Sequence, residues 1–248
     1  MRQLFTLFFW FWSLTLPAQQ GMMPGPGTPA AQLNWTLVRH PGTACSANYT
    51  CSVTTAVTAG DLIVLCSGAS NTLNTSNPYT FSSASGDGTW VHPTGVASSS
   101  TNANASSATD CVYRLSAAGS GSETLSFVWS GNSTSSMKSY VGLFEYSRGV
   151  GSATYDVGNS SNPTCNVTCS GPTLSLSGGT QYLIIEATEN NKGLPLAGPG
   201  SPWTNPADSD SASFSSFFGA LNQTSYTAPV FTSTYLSAVA DISALAFY

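Results

Sequence analysis

The sequence predicts an all-β fold: a two-sheet antiparallel β-sandwich, jelly-roll-like and built by internal duplication. Three observations predict it. Segments rich in Val, Ile, Thr, Tyr and Phe recur between Gly, Pro, Asn and Ser, the pattern of short strands and turns. No 11-residue window carries good helical periodicity. A short cysteine motif, followed by a glycine turn and an apolar run, occurs twice.

The elements follow in order. Arg2, the apolar stretch 4–16 and the small residue Ala18 have the order of a secretory signal peptide over 1–18. The stretch falls short of the ~20 residues that span a bilayer, so the mature chain is expected outside the cytoplasm and not membrane-spanning after signal cleavage. Residues 19–32 have the Pro/Gly composition of a flexible linker. The β-sandwich domain is expected over 33–248. Its strands are expected at 34–39, 51–57, 61–67, 110–115, 123–129, 138–147, 173–177, 181–188, 213–220, 226–231 and 236–247. The runs Leu62-Ile63-Val64-Leu65 and Leu183-Ile184-Ile185 lack clean alternation and read as central strands.

The expected repeats are 45–147 and 165–247. Asn48-Tyr49-Thr50-Cys51-Ser52 recurs as Asn166-Val167-Thr168-Cys169-Ser170, each with a cysteine just upstream. The aromatic run from Cys111 matches 214–221, and 140–146 matches 239–247. A longer loop over 98–108 accounts for the drift in offset between the halves.

Charged residues make up 7% of the chain, against about 25% in an average soluble domain. Neutral hydroxyls and amides carry the solubility instead. Only 6 Lys and Arg stand against 11 acidic residues and they form no cluster, so nucleic acid is not an expected partner. The even set of cysteines (Cys45, Cys51, Cys66, Cys111, Cys165, Cys169) reads as a disulfide framework of an extracellular protein. Locality favours Cys45–Cys51 and Cys165–Cys169 as small clips and leaves Cys66–Cys111 as a long-range bridge. Asn-x-Ser/Thr sequons recur, Asn48 and Asn222 among them, and matter only in a host that glycosylates them.

Val57-Thr58-Ala59-Gly60-Asp61-Leu62-Ile63-Val64, Glu145-Tyr146-Ser147-Arg148-Gly149 and Tyr155-Asp156-Val157 resemble motifs of a widespread bacterial family. That family comprises secreted β-sandwich modules of Ser/Thr/Gly-rich extracellular proteins, often found beside polysaccharide-degrading domains. The resemblance implies a strand opening a sheet at 59–64 and a strand leading into a turn after 145–149. It departs from the family at Arg148 and in its cysteine pairs, and carries no catalytic residue across.

Two chemistries have candidate residues. Glu145 and Glu186 sit among apolar neighbours on expected interior strands, and glycoside hydrolysis needs two carboxyls ~5–10 Å apart. Neither has a second acid two residues on, so each is also readable as a carboxyl satisfied locally. Aromatic rings stack on the apolar faces of sugars. Trp90 and Trp203 are flanked by loop-forming residues and are the candidate binding rings, with Asn205 beside Trp203. Trp129 is expected at a strand end and Trp35 near the N-terminal edge, and most such rings are expected to fill the core. Asp208 and Asp210 form a weak candidate for calcium, more simply a solvated turn, and Asp87 between two glycines reads as a turn. No Gly-x-Ser-x-Gly elbow occurs. His40 and His92, each followed by proline, are expected as exposed loop residues.

The leading expectation is a non-catalytic extracellular module without a cofactor. It would bind a polysaccharide or cell-surface partner through the loops at 98–108, around Trp90 and at 191–210. The alternatives are a carbohydrate-active hydrolase using Glu145 and Glu186, and a structural matrix protein.

Overall fold

The computed structural model describes residues 34–71, 79–102, 105–131, 136–149, 151–179, 181–190, 196–204 and 215–248. The expected signal peptide and linker lie outside these residues. The described residues form strands and connecting segments with no helix. The strands are β1 (Trp35–Arg39), β2 (Gly42–Ser46), β3 (Thr50–Val57), β4 (Leu62–Asn71), β5 (Thr80–Ser85), β6 (Ser98–Asn102) and β7 (Ala105–Arg114). They continue with β8 (Ser120–Ser130), β9 (Met137–Arg148), β10 (Tyr155–Ser161), β11 (Thr164–Ser170), β12 (Tyr182–Asn190), β13 (Ser215–Gln223) and β14 (Val230–Phe247).

All pairings are antiparallel, and they make three sheets rather than the expected two. The central sheet runs β1-β9-β4-β7-β6, with β2 also on β9. A cap sheet runs β3-β8-β5, and a back sheet runs β10-β14-β12-β13, with β11 also on β14. Side-chain alternation explains the stack. Ile63, Leu65 and Val112 of the central sheet pack with Val53, Leu125 and Phe127 of the cap. Leu62, Val64 and Phe144 point the other way, against Leu183, Ile185 and Phe247 of the back sheet. β4 is therefore buried along its whole length, which is why its apolar run shows no alternation.

The central and back sheets share a strand order. β1-β9-β4-β7 and β10-β14-β12-β13 run alike, and β2 and β11 occupy the remaining length of the long strands β9 and β14. Among the described residues, the cap strands all lie between Thr50 and Ser130, and 171–179, 196–204 and 224–229 form no named strand.

Several expected boundaries are corrected. Residues 173–177 and 226–229 are not strands, and 230–247 is one strand rather than two. Residues 98–102 and 105–108 pair as the β6–β7 ladder rather than forming a loop. β2, β5, β6, β10 and β11 were not expected, because they are short, polar and rich in Ser, Thr, Asn and Gly. The motif Ala59-Gly60-Asp61 forms the turn entering β4, where Gly60 holds φ +89°, a conformation that favours glycine. Glu145–Arg148 ends β9, and Tyr155–Val157 opens β10 instead of forming a turn.

The disulfides are Cys45–Cys51, Cys66–Cys111 and Cys165–Cys169, the expected connectivity. Cys66 and Cys111 face each other directly across β4 and β7. Three such bridges fit an oxidising, extracellular compartment.

Candidate functional site

Among the described residues, no sheet covers the outer face of the back sheet. Ile184 on β12 and Ala220 on β13 point outward there, and loops close over them. The described segment 196–204 is anchored near both of its ends. Ala197 N–H donates to Thr232 O at 2.8 Å, and Thr204 N–H donates to Gly219 O at 2.9 Å. Between these anchors the Pro199-Gly200-Ser201-Pro202 run lifts Trp203 over the sheet. The loop before β14 supplies the facing wall, and Gly171 N–H ties it down by donating to Pro229 O at 2.8 Å.

A pocket of about 380 Å³ opens between these loops. That lies within the range of about 300–1,000 Å³ usual for small-molecule sites. Trp203 and Tyr226 form its aromatic walls, their centroids 6.4 Å apart and their planes at 85°. Ile184 and Ala220 give an apolar floor, and the lining includes Thr227 and Gln223, whose Nε2–H donates to Leu221 O at 2.6 Å. Trp203 is half-buried, so one part of the ring packs on the core while the rest borders the pocket.

Behind Tyr226 lies Glu186, fully buried on β12. Tyr226 Oη stands 2.8 Å from Glu186 Oε1 and 2.6 Å from Pro172 O. Among the described residues, none donates a hydrogen bond to Glu186 Oε2. Burial pushes the Glu186 carboxyl up to about 8, partly offset by the Tyr226 hydroxyl.

The structure does not bring Glu186 and Glu145 together. On β9, Val141 and Leu143 face the cap, and Glu145 shares their side. There it pairs with Arg39 Nε at 2.6 Å and accepts from Thr58 N–H at 2.7 Å. Neighbouring Asp61 is raised by burial first and by the Glu145 charge second. On β12, Leu183 and Ile185 face the central sheet, so Glu186 faces the opposite, outer side. At a sheet spacing of ~10 Å, the two carboxyls point away from each other across the central and back sheets. They cannot flank one glycosidic bond.

The two candidate tryptophans are also apart. Trp90 packs on the core between cap and central sheet and donates its Nε1–H to Gly86 O at 2.8 Å. Trp35 and Trp129 are core, each 2% exposed. Asn205, Asp208 and Asp210 lie outside the described residues. Among the described residues, no group of three His, Cys, Asp or Glu is placed to hold a metal ion.

The histidines are not free loop residues. His40 stacks on Phe144 with centroids 3.9 Å apart, and its Nδ1 meets Leu143 O at 2.5 Å. Burial lowers its pKa to about 4, so the ring is neutral with its proton on Nδ1. His92 Nε2 lies 2.8 Å from the buried carboxyl of Asp110, beside a small cavity of about 160 Å³. The hydrogen bond to Asp110 raises the pKa of His92. His92 is thus the exposed loop residue expected, with its ring held by Asp110, whereas the proline after His40 signals extended backbone and conceals a packed ring.

Sequence reasoning missed Tyr226. Its surroundings, Ser225-Tyr226-Thr227-Ala228-Pro229, read as the start of a strand. The proline was the available signal, since it removes a ladder donor and displaces strand onset to Val230. No protein-family model and no curated protein matches the chain.

Proposed function

We propose that this chain is a secreted, non-catalytic module that binds carbohydrate in the pocket bordered by Trp203 and Tyr226. The observation that carries this reading is the pairing of two aromatic walls with amide and hydroxyl groups around a pocket of about 380 Å³. A sugar ring has apolar C–H faces and a polar rim. An indole face takes the former, and Gln223 and Thr227 suit the latter. The anchored loops leave the rings largely preformed, which lowers the entropic cost of binding. The disulfides support a secreted location. The separation of Glu145 from Glu186 removes the carboxylate pair on which the hydrolytic alternative rested.

The shared strand order of the central and back sheets supports descent of the two halves from one duplicated unit. In this reading the first half kept its cap sheet, while the second lost it. The binding cleft then occupies the space that the cap would fill. The resemblance to bacterial secreted β-sandwich modules is compatible with this architecture.

The test is native affinity electrophoresis of the oxidised protein through gels cast with soluble β-glucan, xylan or galactomannan, then stained for loss of polymer. Retardation without clearing supports the proposal. Clearing would establish hydrolysis, and unchanged mobility in every gel would count against carbohydrate as the ligand.

A further inference from the structure

Tyr226 Oη stands between two acceptors, Pro172 O at 2.6 Å and Glu186 Oε1 at 2.8 Å. A phenol carries one hydrogen. Both separations are hydrogen-bond distances, too short for two lone pairs to face each other. A peptide carbonyl cannot donate. If Tyr226 donates to Pro172, the hydrogen in the second contact must come from Glu186. The balanced arrangement is then Glu186 Oε1–H donating to Tyr226 Oη, and Tyr226 Oη–H donating to Pro172 O.

The surroundings of Glu186 favour this acid form. Its register neighbours are Phe218 on β13 and Ala244 on β14. Gly171 and Pro229 close over Oε2, and a Cβ at Gly171 would lie 3.0 Å from that oxygen. Tyr226 is the titratable group facing it, and the described residues place no cation against it. An ionised carboxylate here would be buried with no donor to Oε2 among the described residues, a costly state.

We propose that Glu186 is a positioning residue of the cleft: as a neutral acid it leaves the Tyr226 hydrogen free to tie its loop to Pro172, and its ionisation breaks that tie and weakens ligand binding. The binding part rests on the carbohydrate reading above; the relay itself does not. On ionisation the proton leaves Glu186 for solvent, and Tyr226 turns its single hydrogen to the carboxylate. The Pro172 carbonyl then faces a phenolic lone pair, and the contact between the Tyr226 loop and the 171–179 segment opens.

The experiment uses the full oxidised chain with carboxyl-¹³C glutamate and ¹⁵N-indole tryptophan. The sequence holds four glutamates, Glu123, Glu145, Glu186 and Glu189, so E186Q assigns the Glu186 signal and W203F assigns the Trp203 indole. The expected result is a Glu186 midpoint near 8 and a Trp203 indole shift with the same midpoint. E186Q and Y226F should remove the Trp203 transition. A Glu186 signal titrating in the ordinary carboxylate range, or a Trp203 indole that does not follow it, overturns the proposal. In polysaccharide gels, wild-type affinity should fall about 30-fold between roughly pH 6.5 and 9.5, following the acid fraction. The affinity of E186Q, whose side-chain amide donates at every pH, should hold. Equal pH profiles for the two proteins would also overturn the proposal. If no protein is retarded in any gel, the carbohydrate reading fails and the two resonances alone decide the relay.

Discussion

The rings of Trp203 and Tyr226 stand nearly perpendicular, at 85°, with centroids 6.4 Å apart. This pair separates Trp203 from the two core tryptophans. Trp35 and Trp129 are each 2% exposed, whereas Trp203 borders an open pocket. Limited oxidation with N-bromosuccinimide should therefore modify Trp203 well before Trp35 or Trp129. Peptide mass spectrometry reads the order, and a bound oligosaccharide should protect Trp203 selectively.

The disulfides should differ in what their loss costs. Cys66 and Cys111 close a loop with sequence separation 45, for which chain entropy gives ~4 kcal/mol. Cys165 and Cys169 are separated by 4, which gives ~2 kcal/mol by the same relation. Urea denaturation of the C66A/C111A and C165A/C169A double variants should show the larger loss in the first.

Asp87 organises the turn between β5 and the following segment. It holds φ 51°, and its carboxylate accepts from Arg114 Nη1 at 2.7 Å and from the N–H groups of Ala118 and Gly119. Its own N–H donates to Glu123 at 2.9 Å. D87A should cost about 1–3 kcal/mol, because Arg114 and two part-buried backbone N–H groups lose a charged acceptor. D87N, which tolerates the same backbone conformation and keeps one acceptor oxygen, should cost less. Thermal unfolding of the two variants decides between them.

Asp241 lies on β14 and accepts from Ser98, Ser100 and Ser107 of the central sheet. Burial outweighs these donors and pushes its carboxyl up to about 6. The folded state thus binds this proton more tightly than the unfolded state. The Asp241 contribution to stability is complete below the ordinary carboxylate range and is lost as pH rises to about 6. His40 works in the opposite sense, since its lowered pKa removes stability as pH falls from 6.5 to about 4. The difference between wild type and D241N cancels His40. That difference should shift against wild type as pH rises from about 4 to 6 and then level off. Urea denaturation across that range measures it.

Much of the scaffold was legible because its strongest strands are apolar and its cysteines few. Leu62–Leu65 and Leu183–Ile185 identified β4 and β12 as central strands, and locality gave the cysteine pairing. The third sheet was not legible. β5 is Thr-Phe-Ser-Ser-Ala-Ser, mostly exposed or half-exposed, and its pairing with β8 is a long-range fact that composition does not carry. Trp203 was found from its flanking prolines. Tyr226 and the burial of Glu186 behind it were hidden, because the facing of a carboxyl depends on which side of its strand each sheet covers. The same limit applied to Glu145. Both glutamates were correctly expected on interior strands, yet only the stack of sheets reveals that they face apart.

The most direct measurement is the mobility of wild type, W203A and W90A in polysaccharide gels at neutral pH. If the Trp203–Tyr226 cleft binds carbohydrate, one polymer retards wild type and W90A alike. W203A should then bind about 30-fold more weakly, the cost of roughly 2 kcal/mol for a central aromatic contact. Retardation of W203A equal to wild type, with loss in W90A, would contradict the assignment of the site.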